Sequence, residues 1–276
     1  MKRNAIARII IYSIVIILLL GLLSAGMGTS IYTAKLDFDR SDYIQGGSSV
    51  PASEVKNLEI EWASGNILIE TADTDTISFQ EPSDSRDHPM VYHTKGNTLV
   101  IKYMQPQAVF GFFSVASKDL TVTVPKDWVC GELSIDAASA DVTVNFLTVG
   151  EADLDMASGD CEFNGTSINE LSLDSASGEI RYNGTLTAME CDTASGKVTA
   201  VFDNVPRSID FDGASADLDL TLPADAGFSV NMDSLSGNFS SDFDTQRQGN
   251  AIVCGDRACQ IEVDGASGNV TIRKRK

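Results

Sequence analysis

Positive charge and aromatic residues are scarce in this chain, and histidine and proline are scarcer. Of 276 residues, 20 are Lys or Arg against 39 Asp or Glu, a net charge of −19. Lys2, Arg3, Arg8, Arg273, Lys274, Arg275 and Lys276 hold seven of those bases. Residues 9–272 therefore set thirteen bases against all 39 acids, a net −26. A nucleic-acid binder needs a basic face to neutralise phosphates, so nucleic acid is excluded as the main partner. Only His88 and His93 exist, which leaves almost no material for a histidine triad or a metal cluster. Aromatics make up 7 %, and 22 glycines suit short strands and turns better than long helices. A hydrophobic content of 43 % still builds a core.

The five cysteines (Cys130, Cys161, Cys191, Cys254, Cys259) are an odd number without metal-ligand spacing. Cys254 and Cys259 could close a small loop in an oxidising compartment, or all five serve as small apolar strand residues.

The one long uncharged run is N-terminal. Ile9 to Gly28 carries no charge, and as a helix it is about 30 Å long, the thickness of a bilayer core. Lys2, Arg3 and Arg8 predict a cytoplasmic N-terminus and an extracytoplasmic remainder. Ser24, Ala25 and Gly26 allow a cleaved signal peptide instead. Either way, the chain past residue 30 is expected outside the cytoplasm. Residues 31–56, with Gly46-Gly47-Ser48-Ser49 and Pro51, read as a flexible spacer.

The body repeats. A short Ala-Ser-Gly string recurs around Ser64, Ser139, Ser158, Ser177, Ser195, Ser215, Ser236 and Ser267, and from Ser139 to Ser236 the spacings are 19, 19, 18, 20 and 21. Aligned on the serine, apolar columns appear six and four residues before it (Leu133 and Ile135, Leu171 and Leu173). They resume three and five after it (Val142 and Val144, Ile180 and Tyr182). This period of two predicts two half-buried strands per repeat. The small residues either side of the serine are expected inside the bend, where Gly tolerates a positive φ. The serine and the residue two after it (Asn66, Asp141, Asp160, Glu179) face out. A second acidic row stands three before it: Glu61, Asp136, Asp155, Asp174, Asp192, Asp212, Asp233 and Asp264.

About nineteen residues is one coil of a parallel β-solenoid, so 57–273 is predicted to be an all-β, β-helix-like stack, irregular over 72–128. A meander closing as a sandwich is the alternative. Val115-Ala116-Ser117-Lys118, followed by Leu120 and Val122, is a degenerate copy. Residues 274–276 close the chain as a basic tail, solvated or touching anionic polymer or lipid.

The Val-Thr-Val-Pro-Lys string at 122–126, Leu-Thr-Leu-Pro-Ala-Asp-Ala-Gly-Phe at 220–228, and the repeated Asp-x-Ala-Ser-Gly units ending in Val-Thr-Ile at 270–272 together resemble the bacterial "putative adhesin" family of β-strand-repeat domains. The resemblance covers roughly 55–273. It implies a β-helix-like domain, often behind a membrane anchor and associated with envelope-stress regulation or surface attachment, and supplies no functional residues.

No constellation in the sequence carries catalysis, a cofactor or a metal ion. Carboxylates that recur in every coil read as an architectural device, so an enzyme is not expected, and a polysaccharide-acting one is the remote alternative. If coils stack in register, the acidic rows either cap corners by accepting backbone N–H bonds or hold Ca²⁺ between carboxylates. The leading reading is a membrane-anchored, extracytoplasmic scaffold, binding or stress-sensing module, with membrane lipid and an envelope protein or wall glycan as partners. A surface adhesin is the alternative, with Phe110, Phe112 and Phe113 its only clustered aromatic candidates.

Overall fold

The computed structural model describes residues 42–81, 89–104 and 117–276. Ile44–Lys276 form one compact unit, in which Ala52–Glu54 is the only helical turn among the described residues. The predicted membrane segment at 9–28, His88 and Phe110–Phe113 lie outside the described residues. Among those described, no helix is long and apolar enough to cross a membrane.

The chain is all-β. Its strands are β1 (Ile44–Gln45), β2 (Ser48–Pro51), β3 (Asn57–Ala72), β4 (Thr76–Gln80), β5 (Val91–Lys95), β6 (Thr98–Lys102) and β7 (Leu120–Pro125). There follow β8 (Val129–Asn145), β9 (Thr148–Ser158), β10 (Cys161–Phe202), β11 (Ser208–Leu222), β12 (Phe228–Ser236) and β13 (Phe239–Ser241). The last four are β14 (Gln246–Gln248), β15 (Ala251–Cys254), β16 (Cys259–Ser267) and β17 (Val270–Lys274). Coils pair in parallel at the repeat interval, with Cys161 opposite Val142 and Leu173 opposite Leu154. This is the β-solenoid-like arrangement, not the antiparallel sandwich. The apolar columns become one continuous core, in which Leu133, Ile135, Val142 and Val144 are buried together with their counterparts in neighbouring coils.

The corner differs from the sequence expectation. Pairing runs Trp62↔Ala137 and then Ser64↔Ser139, skipping the alanine before each serine. That residue, skipped on both strands, points outward: Ala138 and Ala157 are exposed, while Ala137 and Met156, two before the serine, are buried. Two consecutive outward residues, Ala138 and Ser139, shift the alternation by one at the corner and bring both apolar faces inside. The glycine after the serine does sit in the bend. Gly178 has φ 140°, and a Cβ there would lie 1.9 Å from the Gly159 carbonyl oxygen.

The stacking order is not the chain order. Ser215 pairs with Ser267, and Ser267 with Ser236, so the last copy lies between two earlier ones. At the other end β3, the first copy, has β8 on one side and β6 and β7 on the other. There the Lys118 N–H bonds the Ser64 carbonyl, so the described part of the degenerate copy, from Ser117 on, lies outside the first coil. Both ends are then covered by antiparallel strands: β5 on β6 and β4 on β7 at one, β15 on β12 and β14 on β15 at the other. A bare end coil would present unpaired N–H and C=O groups to other chains.

Residues 44–54 are therefore strand and turn rather than spacer. β1 pairs with β5 and β2 with β4. Gly47 is small for packing, since a Cβ would lie 2.8 Å from the Phe79 carbonyl oxygen. The basic terminus is also tied down. Lys274 ends β17, the Arg275 N–H bonds the Leu222 carbonyl, and the Arg275 guanidinium reaches the Phe202 carbonyl and the Asp203 carboxylate.

Candidate functional site

Two polar files run along the stack, and they do different work. The first stands two residues after each serine and caps the corners. Asp141 accepts the Asp160 N–H at 2.8 Å, and Asp160 accepts the Glu179 N–H at 2.8 Å. Asp119 and Asn66 repeat the bond at one end, and Asn269 and Asn238 at the other. Each acceptor takes a donor from the next coil, so the file runs one way. The serines add weaker bonds, Ser158 and Ser195 donating to the carbonyls of Ala138 and Ala176. Corner capping is thus real, but it belongs to this file.

The second file is the acidic row three before the serine. Its members face one another directly: Asp136↔Asp155, Asp155↔Asp174, Asp192↔Asp212 and Asp212↔Asp264. At the end of the row Lys102 bonds Glu61 at 2.6 Å. Burial, followed by the charges of neighbouring carboxylates, raises Asp136 and Asp155 above the usual carboxylate range. The same causes raise Asp174. Asp192 is pushed up to about 7, by burial and then by Asp212 and Asp174. Asp210, one column over, reaches about 6, by burial and then by Asp212 and Glu262. A shallow cleft of about 510 Å³ crosses this face, lined by Glu151, Glu170, Glu190, Arg207, Asp210 and Glu262 among others. Among the described residues no three His, Cys, Asp or Glu side chains converge into a group that could hold a metal ion. Carboxylates on successive rungs form a line, whereas a coordination shell needs them around a point.

A charged centre that the sequence reading missed lies inside the first coils. Lys118 is 4 % exposed. Its ammonium meets Glu81 at 3.3 Å, donates to the Met104 carbonyl at 2.9 Å and lies 4.5 Å from the Tyr103 ring centroid. The Glu81 carboxylate also accepts the Met90 N–H, and the Trp62 indole donates to the Lys118 carbonyl. The signal was present in the sequence: Lys118 takes the place after the serine that is Gly or Ala in most other copies.

His93 is half-buried on β5. All five cysteines are free. Cys254 and Cys259 both face Phe228, one on each side of β12. Two strand spacings, about 9.6 Å, separate them, beyond the reach of a disulfide of about 7 Å. Burial pushes the Cys130 and Cys259 thiols up to about 12. Cys161 and Cys191 are raised by the same cause.

Known proteins match most of this chain. Among solved structures, a "putative adhesin" from Bacteroides fragilis is 14 % identical, covering 84 % of this chain and 97 % of its own, with a TM-score of 0.46. A "putative lipid binding protein" from Parabacteroides distasonis is 15 % identical over 86 % of this chain and 98 % of its own, at 0.43. A "putative cell adhesion protein" from Clostridium sporogenes is 10 % identical over 84 % and 100 %, at 0.40. No curated protein matches the chain. The Toastrack DUF4097 family matches it twice, over residues 55–198 and again over 129–273. The two matches share the coils of Ser139 to Ser195, as a repeat allows, and together they span the stack. The chain belongs to the Toastrack DUF4097 family.

Proposed function

We propose that this chain is a non-catalytic, membrane-anchored protein whose β-repeat domain lies outside the cytoplasm as a cell-envelope scaffold, binding or stress-sensing module. One observation carries the reading. The polar surface is the same device repeated coil after coil, with capping carboxylates on one file and facing carboxylates on the other. A catalytic site is a single composed patch in which acid, base and binding groups differ. The uncharged run Ile9 to Gly28 behind Lys2, Arg3 and Arg8 supports the anchor and its orientation.

Protease shaving of intact cells tests it. The repeat domain is expected to be cleaved by added protease without permeabilisation, while the full chain stays with the membrane through an alkaline carbonate wash. Intact chain in the cytosolic fraction overturns the proposal.

A further inference from the structure

Stacking in register sets the carboxylates three before each serine in single file, one per rung. Asp155 faces Asp174, Asp192 faces Asp212, and Asp212 faces Asp264. Successive rungs are about 4.8 Å apart. Glu190 and Asp210 stand beside the file on β10 and β11, and Glu262 faces Asp210 from β16. Among the described residues, Lys102 and Arg207 are the cations placed at this face. Lys102 is engaged by Glu61 at the far end, and Arg207 lines the cleft with Glu190 and Asp210. Beneath, the alternate positions Cys191 and Phe211 belong to the apolar core, which removes part of the water that would otherwise screen the row. A line of like charges, half-withdrawn from solvent, cannot be fully ionised without cost.

We propose that this file is an acid-responsive device: it takes up protons as the coils stack, so the domain tightens in mildly acidic surroundings and loosens in alkaline ones. The device lies in the file and the column beside it, whichever partner the domain serves.

The direction follows from linkage. Asp192 is raised to about 7 and Asp210 to about 6 in the fold, against about 3.9 in an unfolded chain. Between those limits the folded state holds more protons than the unfolded state. Stability is therefore complete below about pH 4 and is lost as pH rises through about 6 to 7. Asp219 acts in the opposite sense, because its bond to Arg273 lowers it. Its contribution is present above about pH 4 and fades only below that, outside the window of the file.

The test is thermal unfolding of the full chain at about pH 5.5 and about pH 8 at matched ionic strength. The melting temperature is expected to be higher at the lower pH. Asp192→Asn is expected to raise it at the higher pH and shrink the difference. Asp141→Asn removes the same charge from the capping file and is expected to leave the difference standing. Calorimetry of the unsubstituted chain in buffers of different ionisation enthalpy counts protons directly, without any variant. Near pH 6 it should show net proton release on unfolding. A melting temperature equal or higher at pH 8, proton uptake on unfolding, or equal shrinkage by both variants overturns the proposal.

Discussion

Asn269 donates its backbone N–H at 2.7 Å and its Nδ2 at 3.2 Å to one carboxylate oxygen of Asp217, fifty-two residues earlier in the chain. Asp141 and Asp160 make the same bond to the coil that follows each in the chain, but here the neighbour is the last copy rather than the next one. The bond is the joint at which the final coil is slotted into the stack.

That joint can be weakened selectively. Asp217→Ala removes an acceptor from two donors and is expected to destabilise the domain by on the order of 1 kcal/mol. Asp217→Asn keeps an acceptor oxygen and should lose less. Chemical denaturation of both variants, read by far-ultraviolet circular dichroism, checks the ranking.

The bend leaves no room for a side chain after the serine. Gly178 combines φ 140° with a carbonyl 1.9 Å from where a Cβ would stand. Gly178→Ala therefore has to push two coils apart, and we expect a loss of about 3 kcal/mol or more. Ala157→Ser, at the exposed corner, should change stability by less than about 0.5 kcal/mol. Midpoints of urea unfolding decide between them.

The Lys118–Glu81 pair is buried on both sides. Removing one partner strands the other charge, so Lys118→Met is expected to cost about 3 to 5 kcal/mol. The double variant Lys118→Met, Glu81→Leu should recover a substantial part of that. A double variant no better than the single one would contradict the pairing.

Thiol counting tests the cysteine geometry. The denatured chain, never exposed to reductant, is expected to titrate five free thiols. In the folded chain the four buried thiols should react slowly, since burial holds them protonated. Three free thiols would mean that one pair had bridged.

Much of this architecture was legible in the sequence because its cause is local. The period-two columns fix which face of each strand is apolar, and Leu133, Leu171 and Ile209 are all buried where that alternation puts them. The serine spacing fixes coil length, and registers such as Cys161↔Val142 follow from it. The outward turn of Ala138 was not legible, because a one-residue shift of the alternation changes which of two small neighbours points in while leaving both small. The two acidic files looked alike for a similar reason. Asp141 and Asp136 are the same residue type on outward positions, and only the cross-coil donor at 2.8 Å distinguishes a cap from a facing charge.

By itself, then, the sequence determined an acidic, all-β repeat of about nineteen-residue coils with a shared core, since alternation and spacing follow from the chain's own geometry. The tertiary structure alone decided the order of the coils, the covered ends and the buried Lys118–Glu81 pair. Each depends on which strand meets which across tens of residues. Local pattern cannot choose among apolar edges that are chemically alike; that choice falls to the pairing of open sheet edges and the burial of charge.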